Sequence, residues 1–496
     1  MKIKLIAPHE HRKDTIASPF KLQRVNLPLL AALTPPGHTV TIVEEAFAPD
    51  DLNEEVELVG ITVLTELALR AYRIADAYRQ KGVKVVMGGI HPTVLSDEAL
   101  AHADAIVVGE AEGVWPRLVA DAAAGQLQRI YRAGTLTDLA GLPTPRRELL
   151  SSSAYRGWPP IPVGVETSRG CPHDCEFCCI NQTLGQQYRV RPVHEVIAEI
   201  AAIDSPHLFF CDDALGLNRT AAKELFTEMI PLRRRWMAQG TVSLAEDVEL
   251  LRVMQRAGCL GLLIGFESVQ QATQNAVKKI KHLRIDFPEA MRRFHGEGFG
   301  ILGCFVFGFD YENKEVFDQT LEFIMQSRMD VVGTRILTPY PGTRLYERLL
   351  REDRLLARDW WLRGYPPYTL VFQPKSMTAD ELLRGYARLN RHAYSLSAML
   401  QRFLGMSPWK RTLLGCQSYL GANLASRDRY FKGLENPQPF AGTGNAIGLH
   451  EGASGTRPGN GNTVNWGLGS PSRKPVPGDV TKHSITLDYS DSRSER

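Results

Sequence analysis

Three cysteines stand out for what their spacing could do. Cys171, Cys175 and Cys178 are arranged Cys-x3-Cys-x2-Cys within Thr167-Ser168-Arg169-Gly170-Cys171-Pro172-His173-Asp174-Cys175-Glu176-Phe177-Cys178. Three thiolates on one loop can bind three irons of a cubane iron–sulfur cluster. No fourth local ligand accompanies them, so one iron would keep an open position for a small molecule. Zinc fits less well, because a structural zinc needs four ligands in tetrahedral array. Cys179 is adjacent to Cys178, so both could not easily face one ion, and His173 reads as a loop residue. Asp212 and Asp213 could accept hydrogen bonds from an ammonium group, and Glu267 ends another apolar run. The bland reading of these acids is that they cap the following helices. Arg189 and Arg191 could neutralise a carboxylate. Cys211, Cys259, Cys304 and Cys416 read as buried small apolar residues.

These residues need a frame. The segment after residue 160 shows apolar runs at Val163–Thr167, Leu208–Cys211, Thr241–Leu244, Gly261–Phe266, Ile301–Phe307 and Val331–Leu337. Room for a helix between most of them predicts an α/β barrel, partial because there are six units and not eight. The cysteine loop follows the first strand, at the end where such folds place catalysis. Residues 1–130 show a second series: strands at Lys2–Ala7, Thr39–Val43, Leu58–Val63, Val83–Met87 and Ala105–Val108, a helical turn at Leu29–Leu33 and a helix over Thr65–Lys81. Strands alternating with helices predict a doubly wound parallel sheet. Its ligands belong beyond the carboxyl ends of the strands, where Gly88, Gly89, Gly109 and Glu110 lie. The expected organisation is therefore α/β throughout: 1–130, a linker at 131–160, a barrel at 161–350, a helical region at 351–432 and a tail at 433–496. The tail holds 11 Gly and 6 Pro among 64 residues and is expected to be disordered.

Composition bounds the function. The 496 residues carry 58 Lys+Arg against 55 Asp+Glu, a balance that argues against a nucleic-acid binder working by phosphate neutralisation. No apolar run is long enough to span a bilayer. The start of the chain does not read as a secretory signal, so a cytoplasmic location is expected. Eight Cys in 496 residues are too dilute for a disulfide scaffold.

On the three-Cys spacing and Phe177, the sequence resembles the radical S-adenosylmethionine (SAM) superfamily over about residues 160–350. The resemblance implies a 4Fe–4S cluster held by Cys171, Cys175 and Cys178, with SAM on the open iron, cleaved after one-electron reduction to a 5′-deoxyadenosyl radical. It places Asp212 and Asp213 where the family binds the SAM amino group, and makes Glu267 a candidate for SAM or substrate contacts. An electron donor such as flavodoxin or ferredoxin is implied. Gly88-Gly89-Ile90-His91-Pro92 and Gly109-Glu110-Ala111-Glu112, placed ahead of the cysteines, resemble the cobalamin-binding subfamily. Glycines there would let backbone approach a large flat ligand. The Asp-x-His-x-x-Gly motif that supplies an axial His to cobalt is absent, and His91 reads as a loop residue.

The resemblance implies cobalamin-dependent methylation of an unactivated carbon. The alternatives are radical cyclisation or rearrangement, and a noncatalytic cobalamin or iron–sulfur sensor. A methylthiolating enzyme carries a second cluster on an N-terminal domain, and no Cys precedes Cys171 here. The substrate is expected to be a small or lipid-like molecule. Residues 379–424 mix Leu, Phe and Trp409 with Arg384, Arg388, Arg391, Arg402, Lys410 and Arg411, a basic amphipathic pattern that can lie on a membrane surface.

Overall fold

The computed structural model describes residues 1–9, 22–150, 161–277, 283–364, 369–404 and 413–434. The expectation of disorder falls almost wholly on residues 435–496, outside the described residues, as do Trp409, Lys410 and Arg411.

The first sheet contains β1 (Lys2–Ala7), β2 (Thr39–Glu44), β3 (Leu58–Thr62), β4 (Lys84–Gly88), β5 (Ala105–Val108) and β6 (Ile130–Arg132). All pairs are parallel, in the order β2-β1-β3-β4-β5-β6. Between them run α1 (Asn26–Leu33), α2 (Ala68–Gln80), the short α3 (Ile90–Val94) and α4 (Ser96–His102), and α5 (Trp115–Ala123). The central strands are buried on both faces, as their near-continuous apolar runs require in a parallel sheet. Ile6, Val59, Ile61 and Ile106 pack with Tyr72, Ile74 and Tyr78 of α2. Ile3, Leu5, Leu58 and Val107 pack with Trp115 and Leu118 of α5 on the other side. The helical turn expected at Leu29–Leu33 is the larger part of α1, which begins at Asn26. The edge strand β6 was not anticipated, because in its three residues only Tyr131 is buried.

The second sheet is also wholly parallel. It comprises β7 (Val163–Val165), β10 (His207–Phe210), β11 (Arg235–Gly240), β12 (Cys259–Glu267), β13 (Gly300–Phe307) and β14 (Val331–Ile336), ordered β14-β13-β12-β11-β10-β7. After β7, the two-residue strands β8 (Ser168–Arg169) and β9 (Arg189–Val190) pair antiparallel. The helices are α6 (Ile180–Leu184), α7 (Val193–Ala202), α8 (Arg219–Met229), α9 (Val248–Arg256), α10 (Gln271–Val277), α11 (Phe287–Gly296), α12 (Val316–Gln326) and α13 (Arg344–Arg351). The third strand is not Thr241–Leu244. Those residues lie in a tight helical turn, and the strand is Arg235–Gly240, where Trp236, Ala238 and Gly240 point inward. With Arg235 and Gln239 exposed on its other face, the strand forms no continuous apolar run.

Here, unlike in the first sheet, burial alternates. Along β13 it reads half-buried, buried, four times over. One row packs under helices, as Phe266, Ile301, Phe305 and Phe307 do. The other row belongs to a face that is only half covered.

Beyond this sheet lie α14 (Ala379–Ala393), α15 (Leu396–Leu404) and α16 (Leu413–Leu434). Thr378 and Glu381 form a reciprocal cap that starts α14. These helices close the exposed edge of the sheet. The Tyr394 hydroxyl accepts from Val332 N at 3.2 Å, and the Tyr430 hydroxyl accepts from Thr334 N at 2.7 Å. Two edge amides that would otherwise invite another strand are thereby satisfied.

Candidate functional site

The cysteine loop is an excursion pinched shut at its base. Ser168 pairs with Val190 and Arg169 with Arg189, so residues 170–188 leave and return at one point. Gly170 begins it at φ +85, where a Cβ would sit 2.4 Å from the Gln187 carbonyl oxygen, so no other residue fits. Asp213, at the end of β10, accepts from Gly170 N at 3.1 Å and fixes the first turn. Burial raises its pKa. Cys178 N donates to Cys175 O at 3.2 Å, a tight turn between two of the thiols. Phe177 packs edge-on against Phe309, ring centres 5.6 Å apart, anchoring the loop to the second core. From the far side Leu345 N donates to Glu176 O at 2.9 Å, and Arg348 pairs with the Glu176 carboxylate at 2.8 Å.

Cys175 is buried and Cys171 and Cys178 are half-buried. Among the described residues no three His, Cys, Asp or Glu side chains converge on a single ion. Three thiols held on one closed loop suit a cluster, where each sulfur takes its own iron. Burial pushes the Cys179 thiol up to about 12.

Asp212 lies beneath the loop. Its carboxylate is fully enclosed and accepts from Thr167 N at 2.8 Å, from the Thr167 hydroxyl and from the Ser168 hydroxyl at 2.6 Å. Burial pushes its pKa up to about 6 against those bonds. It braces β8 beneath the loop.

Glu267 lies at the apex of a tight turn, at φ +61, with Ser268 N donating back to Phe266 O at 2.8 Å. A non-glycine residue there is strained, and such strain gathers at functional sites. Glu312, which sequence reasoning missed, supports the turn. It accepts from the Ser268 hydroxyl at 2.6 Å and from Gly308 N at 2.8 Å and Phe309 N at 3.2 Å. Burial pushes it up to about 7. Gly308-Phe309-Asp310-Tyr311-Glu312, directly after a strand, was the available signal.

The half-covered face of the second sheet leads to these strand ends. Register sets Leu263 beside Leu302 and Val331, then Gly265 beside Cys304 and Gly333. Val306 and Arg335 follow, near the Glu267 turn. The face is an apolar floor, a row of small residues and a charged rim.

The carboxyl ends of the first sheet meet the same region. Glu110, beyond β5, receives two bonds from Arg189 (2.9 and 2.6 Å), lies 3.3 Å from Arg169 and accepts from Thr137 N at 2.6 Å. Burial would raise its pKa, but Arg189, Thr137 and Arg169 hold it below the ordinary carboxylate value. Glu110 is thus a tie between the two sheets. Arg191, likewise buried, pairs with Glu199 at 2.7 Å. Tyr340 hydrogen-bonds Glu66, and Trp361 Nε1 donates to Glu98 at 3.0 Å. His91 belongs to the same network. It lies in α3, fully buried, its Nε2 2.8 Å from the Tyr72 hydroxyl and 3.1 Å from Glu98.

The glycines remain as a cradle. Gly89 (φ +104) has Val63 N and O within 3.1 Å of where a Cβ would lie. Gly88 is ordinary in this respect, with Val107 at 3.6 Å. At Gly109 (φ +80) nothing lies within 4 Å of the Cβ position. Open space over a glycine at a strand end fits a broad flat ligand.

Comparison with known proteins agrees with this arrangement. Residues 165–324 match the radical SAM superfamily, and residues 14–119 match the B12 binding domain. The chain is a radical SAM protein with a B12-binding domain. Residues 343–408 of this radical SAM protein match a domain of unknown function, DUF4070. It is 29% identical to a bacteriochlorophyllide d C-12(1)-methyltransferase of Chlorobaculum tepidum, over 81% of this chain and 89% of that one. It is 29% identical to the bacteriochlorophyllide d C-8(2)-methyltransferase of the same organism, over 84% and 95%. Its fold is similar to that of TsrM, a radical SAM methyltransferase from Kitasatospora setae whose structure holds cobalamin and a [4Fe-4S] cluster. The TM-score is 0.64 at 16% identity, covering 86% of this chain and 99% of that one. The α/β architecture expected for the radical SAM protein, two successive parallel sheets and a helical C-terminal region, is the one observed. No helix among its described residues is long and apolar enough to cross a membrane.

Proposed function

We propose that this chain is a cobalamin-dependent radical SAM methyltransferase acting on an unactivated carbon of an apolar, ring-bearing small molecule. One observation carries the reading. The strand ends that hold the three-thiol loop and those that hold the Gly88, Gly89 and Gly109 turns are tied together, through Glu110 with Arg189 and Tyr340 with Glu66. When bound, the cluster with SAM supplies a 5′-deoxyadenosyl radical and cobalamin carries the methyl group.

The chain's own residues bind and orient. Cys171, Cys175 and Cys178 hold the cluster, and Phe177 and Asp213 keep their loop in place. Glu267 reaches SAM or substrate from its strained turn, and Gly88, Gly89 and Gly109 admit the corrin. The apolar floor of Leu263, Leu302 and Val331 takes the substrate. Both Chlorobaculum relatives are named for a tetrapyrrole substrate, which supports a large flat molecule here. A protein electron donor such as flavodoxin or ferredoxin, peripheral contact with a membrane, and the domain division at 130, 160, 350 and 432 belong to the same proposal.

The test is anaerobic reconstitution with iron, sulfide, cobalamin and SAM, supplied with a bacteriochlorophyllide. Methylated product accompanied by both S-adenosylhomocysteine and 5′-deoxyadenosine is expected. Deoxyadenosine with a cyclised or rearranged product would replace methylation by the alternative radical chemistry. Retention of full biological function by Cys175→Ala would favour a noncatalytic sensor.

A further inference from the structure

We propose that the helices within residues 382–434 seat the protein on an anionic lipid surface. This deepens the peripheral contact named in the functional reading and assigns it a place. On α15, Leu396, Leu400 and Leu404 are 62%, 57% and 72% exposed, and on α16 Leu420 and Leu424 are 48% and 47% exposed. A spacing of four puts each set in one row along its helix. Each row lies one position, about 100°, beyond the row that packs inward, Met399 on α15 and Tyr419 with Asn423 on α16. Single exposed leucines need no explanation, but aligned rows of them mark interaction surfaces.

The helices presenting these rows are firmly held. Arg402 is fully buried and donates to the carbonyls of Met329 at 2.9 Å and Ala393 at 2.7 Å. The Tyr419 hydroxyl donates to Met399 O at 2.8 Å, and Asn423 Nδ2 donates to Asp330 O at 3.0 Å. A rigid platform therefore displays the leucines.

Charge decides what covers them. Residues 382–434 contain nine Lys or Arg against one Asp, a net +8, in a chain whose total is +3. Arg384 and Arg388 pair with Asp380 and Asp318 outside the segment and Arg402 is buried, and discounting all three still leaves +5. A second copy of this chain would bring the same excess to the contact and be repelled. An anionic lipid surface complements both features, with apolar side chains entering the interface and cations facing headgroups. A lipid-seated enzyme would meet an apolar substrate where that substrate partitions.

Flotation of the full-length protein with extruded vesicles tests this without any turnover, so its outcome is separate from that of the methylation assay. Binding is expected to vesicles of equal parts phosphatidylglycerol and phosphatidylcholine. It should fall several-fold when salt is raised to about 0.5 M and be weak on phosphatidylcholine alone. Leu400→Glu/Leu404→Glu, and independently Leu420→Glu/Leu424→Glu, should each reduce binding at least about ten-fold with circular dichroism unchanged. Failure of the natural chain to float with the anionic vesicles overturns the proposal. So does flotation of both leucine variants at the natural level. A dimer in light scattering that the leucine variants dissociate, with no flotation, overturns it in favour of a second copy.

Discussion

Glu110 and Arg189 form a two-point ion pair, 2.9 and 2.6 Å, joining the end of β5 in the first sheet to the strand that closes the cysteine loop. Their side chains are 2% and 10% exposed. Arg169, the other residue at the base of the loop, lies against the same carboxylate and also against Glu112 and Glu166. The geometry between the two halves is thus set by charges removed from water. Removing one partner of a buried pair strands the other. Glu110→Ala is expected to lower unfolding free energy by about 3–5 kcal/mol, read by urea denaturation. Glu110→Ala/Arg189→Ala should cost less than the sum of the two single changes, a coupling of about 0.5–3 kcal/mol. Additive losses would show that the pair does not join the halves.

The three loop cysteines differ in kind from the others. Cys175→Ala is expected to abolish the iron–sulfur absorbance of anaerobically reconstituted protein and its SAM cleavage. Cys211 is half-buried beside Gly164, its thiol directed at Phe209 O, and Cys179 is half-buried at the start of α6. Cys211→Ala and Cys179→Ser should therefore keep iron content within about a fifth of the natural value, since neither removes a ligand. Iron and sulfide analysis reads this directly. Loss of the cluster in Cys179→Ser alone would reassign the ligand set.

The turn at Pro341-Gly342 is a second joint between the halves. Gly342 has φ +78, and a Cβ there would come 2.9 Å from Val94 Cγ1 on α3. Gly342→Ala combines a left-handed backbone with a clash and should destabilise by about 1–3 kcal/mol. Gly113→Ala, where nothing lies within 4 Å, should stay within about 0.5 kcal/mol. Equal midpoints for the two variants in thermal denaturation would remove the turn from the joint.

The sequence spoke most clearly where one physical rule acts alone. Apolar runs such as Leu58–Val63 and Ala105–Val108 announced strands buried on both faces. The spacing of Cys171, Cys175 and Cys178 announced the loop, because sulfur ligands must lie close together. Arg235–Gly240 was illegible because only one of its faces is apolar. The roles of Glu110, His91 and Asp212 were not legible, because a polar residue near a strand end has two uses, binding a ligand or bracing the chain. Only the partners, Arg189, Tyr72 and Thr167, tell which applies. Those partners lie 79, 19 and 45 residues away, beyond any local pattern.

Glu312 offers the sharpest pH test. It is buried beneath the Glu267 turn, and burial pushes its pKa from the ordinary 4.5 to about 7, despite three donors on its carboxylate. An acid with a raised native pKa binds its proton more tightly folded than unfolded. Its favourable contribution is full at low pH, and stability falls as pH rises from about 4.5 to about 7, where the unfolded chain has already released the proton. Glu312→Gln has nothing to release and should lack this slope. The natural chain should therefore gain up to about 3 kcal/mol relative to Glu312→Gln on going from pH 8 to pH 4.5. Urea midpoints measured for both proteins at half-unit steps across that window check the sign. A difference that stays constant would mean that Glu312 takes up its proton alike in the folded and unfolded chain, the donors Ser268, Gly308 and Phe309 offsetting burial. In that case the donors, as much as burial, govern the turn that carries Glu267.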